Sequence, residues 1–194
     1  INRIITLLQE GDTLVRGSPR EGSLIEEITS RYERVGLKLI GLTMFVPTEE
    51  IVEKHYLLDP DWKRAVGQKA IDSYEKKGIE PPSKDPVEVG DRVVAGLKKY
   101  VTSGPVVAMV WQGAHVVEVV RKITGGTEPR SSDVGTIRGD YVLDSYQMAD
   151  SDSRAIRNLI HASGDANDTK TEVLLWFKEE ELHSYKTVHE AHVF

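Results

Sequence analysis

The chain has no cysteine, and that one absence excludes disulfides, thiolate metal sites and cysteine nucleophiles together. Aromatic residues make up only 7%, and no apolar run approaches the roughly 20 residues that a membrane-spanning helix needs. The opening Ile1-Asn2-Arg3 lacks a signal-peptide layout, so the expectation is a soluble, cytoplasmic protein with no membrane role. Without a secretory signal, the glycosylation pattern Asn167-Asp168-Thr169 has no consequence. Basic charge is in deficit: 25 Lys+Arg against 31 Asp+Glu leave a net charge of -6. That balance disfavours a general nucleic-acid binder, because a phosphate backbone rewards a basic face, although a local cationic pocket stays open. Neither standard glycine-rich phosphate cradle, Gly-x-x-x-x-Gly-Lys or Gly-x-Gly-x-x-Gly, is present. Lysine itself is missing from the N-terminal stretch, the first being Lys38.

What remains is enough for one sizeable core. With 194 residues, 39% of them hydrophobic, the expectation is a single domain over 1–194 with elaborations. Ile4-Ile5-Thr6-Leu7-Leu8 is a short apolar run ended by Gln9-Glu10-Gly11-Asp12, which predicts a buried strand and a turn. Ser23 and Glu26 make a capping box, Leu24, Ile25, Ile28 and Tyr32 recur at helical spacing, and Gly36 stops the helix. Residues 37–45 read as a second strand, and Pro47-Thr48 opens a helix over 49–56. The near-continuous apolar run 106–111 predicts a central third strand. The next helix buries Val116, Val117, Val119, Val120 and Ile123 and ends at Gly125-Gly126. Leu159-Ile160 supplies a fourth strand, and a helix over 167–177 turns Val173, Leu174 and Phe177 inward. This order, with one helix pair before the third strand, predicts an α/β (α+β) fold: a ferredoxin-like split βαβ sandwich on a four-stranded antiparallel sheet.

Two stretches stand outside that plan. Residues from about 57 to 92 are too many for a structureless connection, and Trp62, Ala65, Val66, Ala70, Ile71 and Tyr74 share one helical face, so a helical insertion is expected there. A shorter insertion covers about 145–155. Both are read as surface elements or oligomer contacts.

Chemistry concentrates at Arg157-Asn158-Leu159-Ile160-His161-Ala162-Ser163, where an apolar run delivers one histidine to the end of a short strand. A neutral imidazole can accept a phosphoryl group and pass it on if a partner holds its other ring nitrogen. Glu172 follows eleven residues later, and upstream stand Ser103-Gly104-Pro105-Val106, Thr127-Glu128-Pro129 and Gly135-Thr136-Ile137-Arg138-Gly139-Asp140. In that order these segments, from about residue 4 to 185, resemble the nucleoside diphosphate kinase family in a long variant, with His161 at the phosphohistidine position.

The resemblance implies the same fold and a kinase that moves the γ-phosphoryl of a nucleoside triphosphate to a nucleoside diphosphate, with Mg2+ on the nucleotide and no protein metal site. It implies the phosphate-binding residues Arg121, Arg138 and Thr127, the ribose contact Asn158, and Tyr56 near the phosphates, steering the imidazole. Ser163 matches the serine that bonds the family's glutamate, here Glu172. It also implies a homo-oligomer, a tetramer or hexamer. Val93 stands where the family stacks a phenylalanine on the base, so weaker stacking is expected. The acidic residue usual three positions after the histidine is Gly164 here, with Asp165 one later. Aligning Asp12 and Arg16-Gly17 with the family's first turn puts Glu10 at the phosphate-facing lysine. An anion there reverses a favourable Coulomb interaction with polyphosphate, which keeps a second reading open: a catalytically impaired relative that binds nucleotide.

Overall fold

The computed structural model describes residues 3–9, 24–56, 61–76 and 78–188. In chain order its strands and α-helices are β1 (Arg3–Gln9), α1 (Leu24–Arg34), β2 (Lys38–Phe45), α2 (Glu49–Tyr56), α3 (Trp62–Lys76), α4 (Pro86–Val101), β3 (Val106–Gln112), α5 (Val116–Thr124), α6 (Ile137–Tyr141), α7 (Tyr146–Ser151), β4 (Ile160–Ala162) and α8 (Ala166–Trp176). They form two compact units, residues 47–103 and the remainder.

The larger unit contains the sheet, in the order β2-β3-β1-β4 with each neighbouring pair antiparallel. This is the expected ferredoxin-like arrangement. Strand β3 is central because six of its seven residues are buried, and an element apolar on both faces is stable only when both faces are covered. Its Trp111 meets Tyr32 of α1 with ring centroids 5.1 Å apart and donates its indole N–H to Thr6 Oγ1 at 3.2 Å. The Tyr32 hydroxyl pairs with Thr124 Oγ1 at 2.9 Å, so the polar tips of these large side chains are satisfied inside the core. Ile4, Leu8, Ile28, Met109, Val116, Val120 and Ile137 complete the packing, each contributing about 1.5–3 kcal/mol by leaving water. Gly36, at φ +86°, closes the turn after α1 in a conformation that favours glycine.

Segment 177–185 runs back over the first half of β2. The His183 N–H donates to Ile40 O at 2.7 Å and the Tyr185 hydroxyl to Leu39 O at 2.6 Å. Gly41 permits this approach, since a Cβ there would stand 2.8 Å from Leu182 Cδ2. Farther along, β2 leaves Leu42, Met44 and the adjoining Val46 more than half exposed.

Three local expectations need correction. The fourth strand is Ile160–Ala162, so His161 lies within it and Leu159 before it. On α8 the inward residues are Thr169, Glu172, Val173 and Trp176, one stripe at helical spacing; Leu174 falls on the opposite side and is exposed. Among the described residues three helices rather than two stand between β2 and β3, because the inserted stretch forms α3 and the start of α4.

In the smaller unit α3 and α4 cross through glycines. A Cβ at Gly67 would lie 1.8 Å from Pro86 O, and one at Gly90 would lie 2.2 Å from Lys63 O. The buried face of α3 therefore centres on Gly67 and Ile71, and Ala65, expected on that face, is exposed. Helix α4 starts cleanly: Asp85 accepts from Val87 N at 2.9 Å, and Pro86 occupies the first turn, where a missing N–H costs nothing.

Candidate active site

The strand that presents the histidine is entered through an unusual turn. Leu159 is buried with φ +66°, and Ile160 N donates to Asn158 O at 2.7 Å, the i to i+2 bond of a positive-φ γ-turn. Such turns are rare and strained, on the order of 1–3 kcal/mol for a side-chain-bearing residue. Beyond the turn β4 pairs with β1, Leu8 opposite Ile160 and Leu7 opposite His161.

The His161 side chain keeps 29% exposure, whereas its partner Glu172 is buried to 7%. Glu172 Oε2 lies 3.4 Å from His161 Nε2 and accepts the Ser163 hydroxyl at 2.6 Å. A carboxylate can only accept, so this arrangement favours the tautomer with its proton on Nε2 and leaves the Nδ1 lone pair as the nucleophilic position. Glu172 is held in turn by α8, whose N-cap Asp165 accepts from Asn167 N at 2.6 Å and Asp168 N at 3.0 Å. Asp165 thus caps a helix, while Asp168 Oδ2 comes within 2.5 Å of where a Cβ on Gly164 would stand.

Two arginines bracket the histidine from the backbone side. Arg121 Nη1 donates to Ser163 O at 3.3 Å. Arg138, buried on α6, donates from Nη2 to Ile160 O at 2.6 Å, from Nε to Asn158 O at 3.3 Å, and from Nη1 to the carbonyls of Gly125 and Gly126 at 3.0 Å each. Asn158 Nδ2 donates to Thr127 O at 3.3 Å, which ties the start of β4 to the loop after α5, where Thr127 is exposed. The structure therefore brings together His161, Glu172, Ser163, Arg121, Arg138, Asn158 and Thr127.

Tyr56 and Val93 belong to the 47–103 unit. Tyr56 ends α2 with its ring 5.0 Å from His55 and 5.3 Å from Trp62, and Val93 is half-buried on α4. Glu10, Asp12, Arg16, Gly17 and the capping residue Ser23 lie outside the described residues.

One supporting group escaped the sequence reading. Asp144, with no exposed side-chain surface, pairs with both Arg154 terminal nitrogens at 2.7 and 3.0 Å and accepts from Arg157 N at 2.8 Å and Ser145 N at 2.9 Å. It closes the base of the 145–155 insertion just before the histidine segment. Burial alone would raise the Asp144 carboxyl, but the Arg154 guanidinium and the two backbone N–H groups outweigh it and hold the group below its ordinary value. The acid-to-arginine spacing of ten was its only sequence signal.

A ferredoxin-like sandwich with a carboxylate-oriented histidine on its edge strand, gripped by arginines, defines the kind of site that group transfer on an imidazole requires. The family model described as nucleoside diphosphate kinase matches residues 87–182. A nucleoside diphosphate kinase of Pyrobaculum aerophilum is 42% identical over 180 residues, covering 91% of this chain and 95% of the relative. Its namesake among solved structures, an NDP kinase from the same organism, superposes with a TM-score of 0.85 at 39% identity, covering 94% and 98% of the two chains. The Borrelia burgdorferi nucleoside-diphosphate kinase with bound vanadate and ADP, a transition-state mimic, gives a TM-score of 0.74 at 30% identity, covering 99% and 96%. The chain belongs to the nucleoside diphosphate kinase family.

Proposed function

We propose that this protein is a nucleoside diphosphate kinase, a transferase that passes the γ-phosphoryl of a Mg-nucleoside triphosphate through a phosphohistidine at His161 to a nucleoside diphosphate. The observation that carries this reading is Glu172, buried between the Ser163 hydroxyl and His161 Nε2, because a site that only binds nucleotide has no need of an oriented imidazole. In the first half-reaction the Nδ1 lone pair attacks the γ-phosphorus, the bond to the β,γ-bridging oxygen breaks, and the nucleoside diphosphate leaves with that oxygen. The second half-reaction reverses these changes on a different diphosphate. Little covalent work falls to the protein, so positioning and charge supply the catalysis.

In this reading Glu172 offsets the positive charge of the phosphorylated ring, and Ser163 holds Glu172 in place. Arg121, Arg138 and Thr127 bind the phosphates. Asn158 contacts the ribose, Tyr56 steers the imidazole, and Val93 lies by the base with weak stacking and broad nucleobase tolerance. The protein is a single kinase domain carrying insertions at about 57–92 and 145–155. It works in the cytoplasm; among the described residues no helix is long and apolar enough to cross a membrane. Homo-oligomerisation, as a tetramer or hexamer, is supported by the exposed apolar row Leu42, Met44 and Val46 at the sheet edge.

The alternative, a nucleotide-binding relative with impaired turnover, is favoured by Glu10 at the aligned lysine position. One experiment separates the two. Incubation with Mg-ATP gives an acid-labile phosphate that His161→Ala abolishes; acid-stable phosphate, or labelling that survives the substitution, rules out the phosphohistidine route. Nucleotide binding with no labelling at all establishes the alternative.

A further inference from the structure

We propose, resting on the reading of His161 as phosphate carrier, that Arg138 is a positioning residue: its guanidinium clasps the strained turn Asn158-Leu159-Ile160 against Gly125-Gly126 and thereby sets where the imidazole stands. The γ-turn places the Asn158 and Ile160 carbonyls on either side of Leu159, and the guanidinium bonds both, at 3.3 Å and 2.6 Å. Two further bonds, 3.0 Å each to Gly125 O and Gly126 O, anchor that grip to the end of α5. A strained backbone persists only where its surroundings over-determine it. Beside Arg138, the Leu159 peptide is held from β1, where Gln9 N donates to Leu159 O at 2.8 Å. His161 follows the turn by one residue, so any relaxation of Leu159 moves the ring relative to Glu172.

The platform under Arg138 is rigid. Thr136 caps α6, accepting from Gly139 N at 3.1 Å, and a Cβ on Gly139 would lie 2.2 Å from Asp133 O, so the first turn of α6 is pressed onto the preceding loop. Arg138 is 8% exposed. Only a planar guanidinium can reach four carbonyl oxygens from one such point; a lysine there keeps the charge and loses the fork.

The test compares the wild-type chain with Arg138→Lys and Arg138→Gln, folding being checked by circular dichroism and thermal midpoint. Calorimetry measures ADP affinity, single-turnover labelling from saturating Mg-ATP measures phosphorylation of His161, and NMR of the nucleotide-free protein follows the His161 ring nitrogens through neutral pH. The expected result is weaker ADP binding in both variants, since Arg138 also stands among the proposed phosphate-binding residues, together with two changes that a phosphate contact alone would not produce. Labelling falls about tenfold to a hundredfold, the scale that a displacement near 1 Å produces, and the His161 ring signals shift in both. Near-normal labelling in Arg138→Lys, or lost ADP affinity with unchanged ring signals, overturns the proposal and leaves Arg138 as a phosphate contact alone. If wild type takes up no phosphate, the kinase reading fails on its own; the ring signals then decide, a shift supporting the clasp and constancy overturning it. Should Arg138→Gln not fold, Arg138→Lys decides alone.

Discussion

Strands β3 and β4 lie on either side of β1 in one sheet, yet they are made by different physics. β3 has seven residues, six of them buried, and pairs along its full length with β1 on one side and with β2 on the other. β4 has three residues and, among the described residues, pairs only with β1. The first is specified by hydrophobic burial and could hardly sit elsewhere. The second is too short to be specified that way, and it borrows its definition from side chains: Arg138 on Ile160 O and Asn158 O, Arg121 on Ser163 O, Asn158 on Thr127 O. The chemistry is mounted on the strand held by polar ties, because a histidine that must face a substrate cannot sit inside an apolar layer.

That contrast can be broken from either side. The largest effect on stability is expected from β3: Met109→Ala empties a fully buried site between Thr6 and Leu42 and should cost about 3 kcal/mol in denaturant unfolding. Phosphotransfer per folded molecule should be unchanged; a selective loss of activity would mean that the two strands are not separable.

Glu172→Gln is the complementary change. It keeps the shape and the Ser163 contact but removes the charge facing Nε2. Labelling of His161 should slow about thirtyfold, about 2 kcal/mol in barrier, while the unfolding midpoint moves little. An unaltered rate would show that the imidazole is oriented without the carboxylate.

The smallest effect concerns the clasp before β4. Asp144→Asn should cost about 1.5 kcal/mol, since it removes the charge of the buried carboxylate on Arg154, whose second partner, Asp152, is exposed. The Asp144 carboxyl is held below its ordinary value in the folded protein, so its contribution is whole above about pH 4 and is lost as pH falls through the lowered value. Hydrogen-exchange protection across 144–157 should therefore drop on acidification in wild type, and should be low and nearly pH-independent in Asp144→Asn. Equal acid sensitivity in the two proteins would assign the effect to another group.

By itself the sequence determined the order of the four strands, the sheet and its central strand, and the histidine-to-glutamate spacing. Those features depend on local periodicity, capping residues and apolar runs, which leave a mark in neighbouring positions: Pro47-Thr48 opens α2, and Gly125 closes α5 at φ +91°. Tertiary structure alone decided the rest. Leu159 in a left-handed turn leaves no mark, because nothing in a leucine codes for positive φ; it is imposed by Arg138, twenty-one positions away, and by Gln9 from β1. The exposure of Leu174, the Gly67 and Gly90 crossing and the Asp144–Arg154 clasp are of the same kind. Each is settled by what the facing element leaves room for, and a carbonyl reached across the fold belongs to no pattern that can be read along the chain.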